Sequence, residues 1–361
     1  MSNRTVPAPY GAGTSWWDAL ALLREAERVA LFGHLGPDMD VIGSMLALVH
    51  ALRAMGRQAV ACSHDPVPQR LAILPGAEEI VTCEQQLRAA HAVTGGWDLL
   101  VTVDGHGAER FGGLYALARR LAPRAVTLNI DHHVTNNGHF CDVEVVDSRA
   151  AATAEIVYFL LRDLGAPPSP LVATCLLAGL YTDTLSFQTS SVTERTFAAA
   201  AGTLEWGADA GALAFVLFRS RSVAMVRLWA LVLSSLHYEE DTDILWTEVT
   251  REMIKACGAE EEDLSGISAF LGGVQDARVV VLFKEMPDGT IQVSFRSQTV
   301  DVAALASGLG GGGHRRAAGC TLPGPLGEAR RTVLEAARRL VWNSTVNGME
   351  RPVTPSTATS T

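Results

Sequence analysis

Three short apolar runs in the N-terminal half each end in acidic or histidine side chains, and this arrangement constrains the fold more than any other feature of the chain. Residues 29–32 lead into GHLGPDMD, which supplies His34, Asp38 and Asp40. Residues 99–103 lead into Asp104 within VTVDGHG, and residues 125–130 into Asp131, His132 and His133. Brief, continuous apolar runs bounded by polar turns are the mark of strands buried on both faces of a parallel sheet. Helix-patterned stretches separate them, among them 41–55, which stops at Gly56. Ser15 stands where it can cap a first helix carrying Trp16, Leu20 and Leu23, and residues 59–62 read as a further strand. Strands alternating with helices predict an α/β fold with a doubly wound, mainly parallel sheet. Ligands of such sheets bind beyond the carboxyl ends of the strands, which is where these side chains fall.

A chain of 361 residues favours two domains. From 153 to about 238 the pattern is helical, in segments 154–164, 170–181, 193–206, 210–218 and 222–239. Strands follow at 244–249, 278–284 and 290–296, the last two joined by a Pro287-Asp288-Gly289 turn. Helices at 302–307 and 328–341 complete a second, smaller α/β domain. The expected division is a metal-binding catalytic domain over 16–221, a connector helix and hinge over 222–243, a substrate-binding domain over 244–343, and a disordered Ser/Thr/Pro-rich tail over 344–361. Residues 1–14, rich in Pro, Gly and Ala, are expected to be loose.

Taken singly, each polar cluster has an ordinary reading: an aspartate after a strand caps a helix, and paired histidines form a surface turn. Thr182-Asp183-Thr184 closes an apolar helix and adds a fourth cluster. Four such clusters on one sheet edge would repel one another or lose solvation unless cations held them. The donors are oxygens and imidazoles without thiolate, which suits Mn²⁺, with Mg²⁺, Fe²⁺ or Co²⁺ as alternatives. Six donors crowd a single ion, whereas two ions about 3.5–4 Å apart suit in-line attack on phosphorus. The six cysteines form no CxxC pair, so a zinc site or redox dithiol is disfavoured.

The second informative stretch is FRSQTVDVAALASGLGGGGHRRAAG. Gly310 to Gly313 precede His314, Arg315 and Arg316, and Arg296 stands at a strand end. Consecutive glycines let backbone N–H groups approach an anion, and the neighbouring cations favour phosphate or nucleotide contact over a plain flexible loop. The run lacks the Lys-Ser/Thr ending of a P-loop and the strand-first setting of a dinucleotide fold.

GHLGPDMDVIGS, VTVDGHG, NIDHH, LYTDT and GGGGHRRAAG, in this order, resemble the DHH phosphoesterase superfamily with its DHH-associated C-terminal domain, over roughly residues 16–343. Within it the chain looks most like the bacterial nanoRNase/pAp phosphatase group. The resemblance implies a metal-dependent phosphodiesterase and phosphatase that degrades very short oligonucleotides to 5′-mononucleotides and dephosphorylates pAp. Cyclic di-AMP and linear pApA are related substrates. It implies that His34 and Asp38 bind one Mn²⁺, that Asp40 and His132 bind the other, and that Asp104 and Asp183 lie between or beside both. His133 would meet the scissile phosphate or the leaving group, and Asp131 would orient its neighbouring histidines. Arg296, Gly311, Gly312, Gly313 and His314 would hold the rest of the substrate. The chain departs from the subgroup after Asp183, where Leu185 and Ser186 replace the usual glycine and small or basic residue.

Three competing readings are a manganese inorganic pyrophosphatase, a RecJ-like single-strand exonuclease and a non-catalytic nucleotide sensor. The GGGGH run argues against the first, and ligands intact at every cluster against the last. A net charge of -10 argues against long strands and long duplexes, whose phosphates demand many cations. No secretory signal and no apolar run of about 18 residues is present, so a cytoplasmic protein without a membrane partner is expected. The sequence leaves monomer and homodimer open.

Overall fold

A computed structural model describes residues 14–133, 140–264 and 266–346. The expectations for residues 1–13 and for the tail beyond 346 lie outside the described residues. The chain divides into two compact units, one ending at Arg219 and the other beginning at Ser220.

The first unit is built on β1 (Arg28–Gly33), β2 (Gln58–Cys62), β3 (Leu99–Val103), β4 (Val126–Asp131) and β5 (Val143–Val146). All neighbours are parallel, in the order β2-β1-β3-β4-β5. The short edge strand β5 was not anticipated, because Val-Glu-Val-Val carries no long apolar run. Among the described residues eight α-helices accompany the sheet: α1 (Thr14–Glu25), α2 (Met39–Ala54), α3 (Glu84–Thr94), α4 (Gly112–Leu121), α5 (Thr153–Leu164), α6 (Pro170–Asp183), α7 (Glu194–Glu205) and α8 (Ala210–Ala214). Ser15 lies inside α1 rather than before it. The segment expected to stay helical to 218 turns into a π-helical stretch at Phe215–Arg219.

Helix α2 is apolar on nearly every side and is buried almost throughout. It packs against α6 at close range because Gly43 and Gly179 offer no side chain at the crossing. A Cβ on Gly43 would strike the Cys175 carbonyl oxygen, and one on Gly179 would meet Asp40. That approach brings Asp183, the last residue of α6, toward Asp40 in the first turn of α2.

The second unit opens with α9 (Val223–Ser234), followed by β6 (His237–Glu239), β7 (Ile244–Val249), α10 (Arg251–Cys257), α11 (Ile267–Leu271), β8 (Val279–Glu285) and β9 (Thr290–Arg296). It closes with α12 (Val302–Gly308), β10 (Gly312–His314), β11 (Ala317–Pro323) and α13 (Leu326–Val346). Its sheet runs β10-β11-β9-β8-β7-β6, antiparallel except for β7 with β8. One face buries Val281, Phe283, Val293 and Phe295 with Val333 of α13, and the other buries Leu245, Val280 and Leu282 with Leu228 and Val232 of α9. The segment 222–243 is therefore not a free connector. Leu228 and Val232 lay α9 on this sheet, and residues 237–239 form its edge strand. The end of α13 also places residues 344–346 in a helix rather than in the tail.

Candidate metal centre

Strands β1, β3 and β4 are adjacent, so the residues after them share one edge. His34 follows β1, Asp104 follows β3, and Asp131 ends β4 with His132 and His133 behind it. Asp104 has φ 62°, in the left-handed region that aspartate tolerates better than most residues. Asp38 caps α2, its Oδ1 accepting from the N–H groups of Asp40 and Val41. Its other oxygen stays available, 3.8 Å from His34 Nε2.

Among the described residues three overlapping groups of donors result: His34, Asp38 and Asp104 form one, Asp40, His132 and Asp183 a second, and Asp104, His132 and His133 a third that bridges them. Asp104 faces the first two: its Oδ2 lies 3.5 Å from His34 Nε2 and its Oδ1 lies 3.5 Å from His132 Nε2. Asp183 Oδ2 is 3.3 Å from His132 Nε2. Donors about 2.1 Å from a common small divalent ion lie up to about 4.2 Å apart, so these separations fit shared coordination. Each histidine is oriented through its other nitrogen. His34 Nδ1 donates to the Leu35 carbonyl at 2.8 Å and His132 Nδ1 to the Ala150 carbonyl at 3.3 Å, which turns both Nε2 atoms toward the carboxylates. His133 Nδ1 bonds Asp131 Oδ1 at 2.7 Å, and the ring is 42% exposed. His106, not singled out in the sequence, brings its ring within 6.1 Å of that of His133.

The electrostatics agree with a cation site. Burial alone would lower the His34 imidazole, but hydrogen bonds to Asp104 and Asp38 outweigh it and push it up to about 10. His132 behaves alike: burial is overcome by Asp183, Asp40 and Asp104, and it also rises to about 10. Complete burial, then the charges of Asp183 and Asp104, drive the Asp40 carboxyl upward. A cluster that pulls protons onto its histidines has surplus negative charge that divalent ions would neutralise in place of those protons. None of the three groups includes a thiol, so the oxygen and imidazole set fits Mn²⁺, Mg²⁺ or Co²⁺.

Sequence spacing did not reveal the backbone that holds these ligands. Fully buried Asp40 accepts from the N–H groups of Thr153 at 2.7 Å and Ala154 at 3.0 Å, and so caps α5 from another helix. Thr153 Oγ1 donates to Asp104 Oδ1 at 2.8 Å. After Asp183 come Leu185, Ser186 and Phe187 at φ 49°, 59° and 64°, three left-handed residues where glycine would be unstrained. Thr184 Oγ1 accepts from the Phe187 N–H at 2.8 Å and steadies this turn.

The remaining sequence candidates lie in the second unit. Arg296 ends β9 and is half-buried, with Nη1 donating to the Phe295 carbonyl at 2.9 Å. Of the glycine run, expected as a loop contacting phosphate, Gly312 and Gly313 enter strand β10, which pairs Gly312 with Gly319 and His314 with Ala317. Gly311 and Gly313 are demanded by this hairpin: a Cβ on Gly311 would strike the Gly319 carbonyl, and one on Gly313 would come within 2.6 Å of Ala318 Cα. His314 is exposed beside them.

Comparison with known proteins agrees with this geometry. Residues 28–180 match the DHH family N-terminal domain and residues 251–343 match the DHHA1 domain. The bifunctional oligoribonuclease and PAP phosphatase NrnA of Thermus thermophilus is 32% identical over 332 residues, spanning 90% of this chain and 94% of that protein. The cyclic-di-AMP phosphodiesterase GdpP of Geobacillus thermodenitrificans is 27% identical over 332 residues, 87% of this chain and 48% of that one. An exopolyphosphatase-related protein from Bacteroides fragilis shares the fold, with a TM-score of 0.82 at 21% identity over 92% of this chain and 98% of its own. Fold and donor set define a metal-dependent hydrolytic phosphoesterase. The chain belongs to the DHH family, with a DHH domain followed by a DHHA1 domain.

Proposed function

We propose that this phosphoesterase hydrolyses very short oligonucleotides to 5′-mononucleotides and removes a phosphate from pAp, using two Mn²⁺ ions. The observation that carries the reading is the position of Asp104 between two donor groups, one oxygen 3.5 Å from His34 of the first and the other 3.5 Å from His132 of the second. His34, Asp38 and Asp104 would hold one ion, and Asp40, His132 and Asp183 the other, with Asp104 common to both. Mg²⁺ or Co²⁺ would fit the same donors. Such ions supply Lewis acidity, lowering the pKa of bound water and neutralising charge that develops on phosphoryl oxygens.

The chain's own residues do the rest. Asp131 fixes His133 through Nδ1, leaving Nε2 to hold a proton at the leaving oxygen. Thr153 and the Ala150 carbonyl keep Asp104 and His132 aimed. Arg296, His314 and the backbone of Gly311–Gly313 are assigned to the substrate's non-reacting phosphate and base, with the Gly311 N–H itself held by the Ala306 carbonyl at 2.8 Å. The cyclic-di-AMP phosphodiesterase GdpP among the relatives supports cyclic di-AMP as a second substrate class, and linear pApA is proposed beside it.

The test is product analysis with purified protein, pAp and a dinucleotide, in Mn²⁺ and in chelator. Phosphate from pAp and 5′-mononucleotide from the dinucleotide, both abolished by chelation, are expected. Release from pyrophosphate alone would replace this reading with a pyrophosphatase.

A further inference from the structure

Residues 147–154 support three ligands of the candidate centre at once: His132 through the Ala150 carbonyl, Asp104 through Thr153 Oγ1, and Asp40 through the N–H groups of Thr153 and Ala154. What fixes this segment is a buried charge cluster with no place in the chemistry above. Glu155 is fully buried. Its Oε2 accepts from the Ala151 N–H at 3.2 Å and from Thr196 Oγ1 at 2.7 Å, and its Oε1 accepts from Arg195 Nε. The same guanidinium donates through Nη1 to Asp147 Oδ2 at 2.9 Å. Asp147 is in turn tied to the end of β4, its N–H donating to the Asp131 carbonyl at 3.0 Å. The segment is thus pinned near its start by Asp147 and near its end by Ala151 and Glu155, with α7 contributing Arg195 and Thr196.

Buried ion pairs are a weak source of stability, since apolar replacements of similar volume are often as stable, so their retention calls for another reason. We propose that the Glu155–Arg195–Asp147 cluster is a positioning device: it sets the 147–154 backbone so that His132, Asp104 and Asp40 stand ready to receive divalent ions. The inference rests on the two-ion reading above. Arg195 suits the task because a planar guanidinium reaches two carboxylates with separate N–H groups, whereas an ammonium is a single point charge on a flexible stem. None of the three residues is assigned to substrate or ion, so their effect is exerted through the ligands they place.

Arg195→Lys keeps the charge and loses the two-pronged bridge. Mn²⁺ titration by calorimetry or electron paramagnetic resonance, alongside apo-protein melting and kcat/KM as a function of Mn²⁺, tests the idea. Loss of a group that supports metal ligands commonly weakens affinity about 10–100-fold, and that fall is expected here, with activity regained as Mn²⁺ is raised. A purely structural cluster would lower the melting temperature and leave the affinity of the folded variant unchanged, and that result overturns the proposal. If Arg195→Lys does not fold, Thr196→Val, which removes one hydrogen bond to Glu155, decides in its place. A loss of affinity of about threefold or more supports positioning, and none overturns it. Wild-type protein that binds no Mn²⁺, Mg²⁺ or Co²⁺ would instead defeat the two-ion reading beneath the proposal, and the wild-type titration alone reads that failure.

Discussion

Asp104 presents one carboxylate oxygen to each donor group, so its removal strikes both at once. Asp104→Asn is expected to weaken divalent-ion binding by more than about 100-fold and to abolish most turnover, because a charged ligand is lost rather than a supporting group. Elemental analysis and rates on the folded variant check this, and wild-type turnover would refute the shared-ligand assignment. The histidines give a pH prediction. In metal-free protein His34 is raised to about 10, so its contribution to stability is complete below its ordinary value near 6.5 and is lost as pH rises toward 10. Apo-protein should therefore melt at lower temperature from neutral to alkaline pH, and Mn²⁺ should remove most of that decline while displacing protons as it binds. Melting curves at stepped pH, with and without Mn²⁺, measure both. The ligands were legible in the sequence because each follows a strand or opens or closes a helix within a few positions of a recognisable pattern. Their supports were not: Ala150 acts through a carbonyl, which has no sequence signature. Glu155 did carry a signal that went unread, an acid among the apolar first turns of a helix whose other charged residues, Arg162 and Asp163, stand near its far end.

At the scale of elements, the centre depends on how closely α2 and α6 approach. Gly43→Ala places a methyl group against the Cys175 carbonyl, which is backbone and cannot swing away. Overpacking of this kind costs about 1–3 kcal/mol, and thermal unfolding of the variant should show a loss in that range. A neutral effect would mean that the helices slide apart without cost. The buried parallel strands β1, β3 and β4 could be read because their apolar runs are continuous and end in polar turns. β5 was missed for its half-exposed, mixed sequence, and β10 because glycines suppress every strand signal while the hairpin requires them. The same hairpin sharpens the expectation for the second unit, since Gly311 and Gly313 are explained by packing and cannot alone argue for an anion. Arg296 and His314 carry that assignment. Arg296→Ala and His314→Ala should each raise KM more than they lower kcat, by about 10-fold or more in KM for a lost charge-assisted contact, with metal content unchanged. Loss of metal in either variant would contradict the assignment of these residues to substrate alone.

For the whole molecule, the net charge gives an expectation for substrate length. The chain carries a net charge of -10, and each nucleotide beyond those in contact adds a phosphate without a matching cation. Repulsion should grow with strand length and should be strongest at low salt, where screening is least. The membership of the DHH family and the two-unit plan were readable from ordered motifs spread along nearly the whole chain. The packing of residues 222–243 onto the second sheet was not, because an amphipathic helix at a boundary does not state which side it covers. The most direct test of the account is kcat/KM for a ladder of end-labelled oligonucleotides from two to about twenty residues, with Mn²⁺, at two ionic strengths. Efficiency should peak at two to about four nucleotides and fall with length, more steeply at the lower salt. Equal or rising efficiency out to about twenty nucleotides would contradict the short-substrate reading and point to an exonuclease that tracks along single strands.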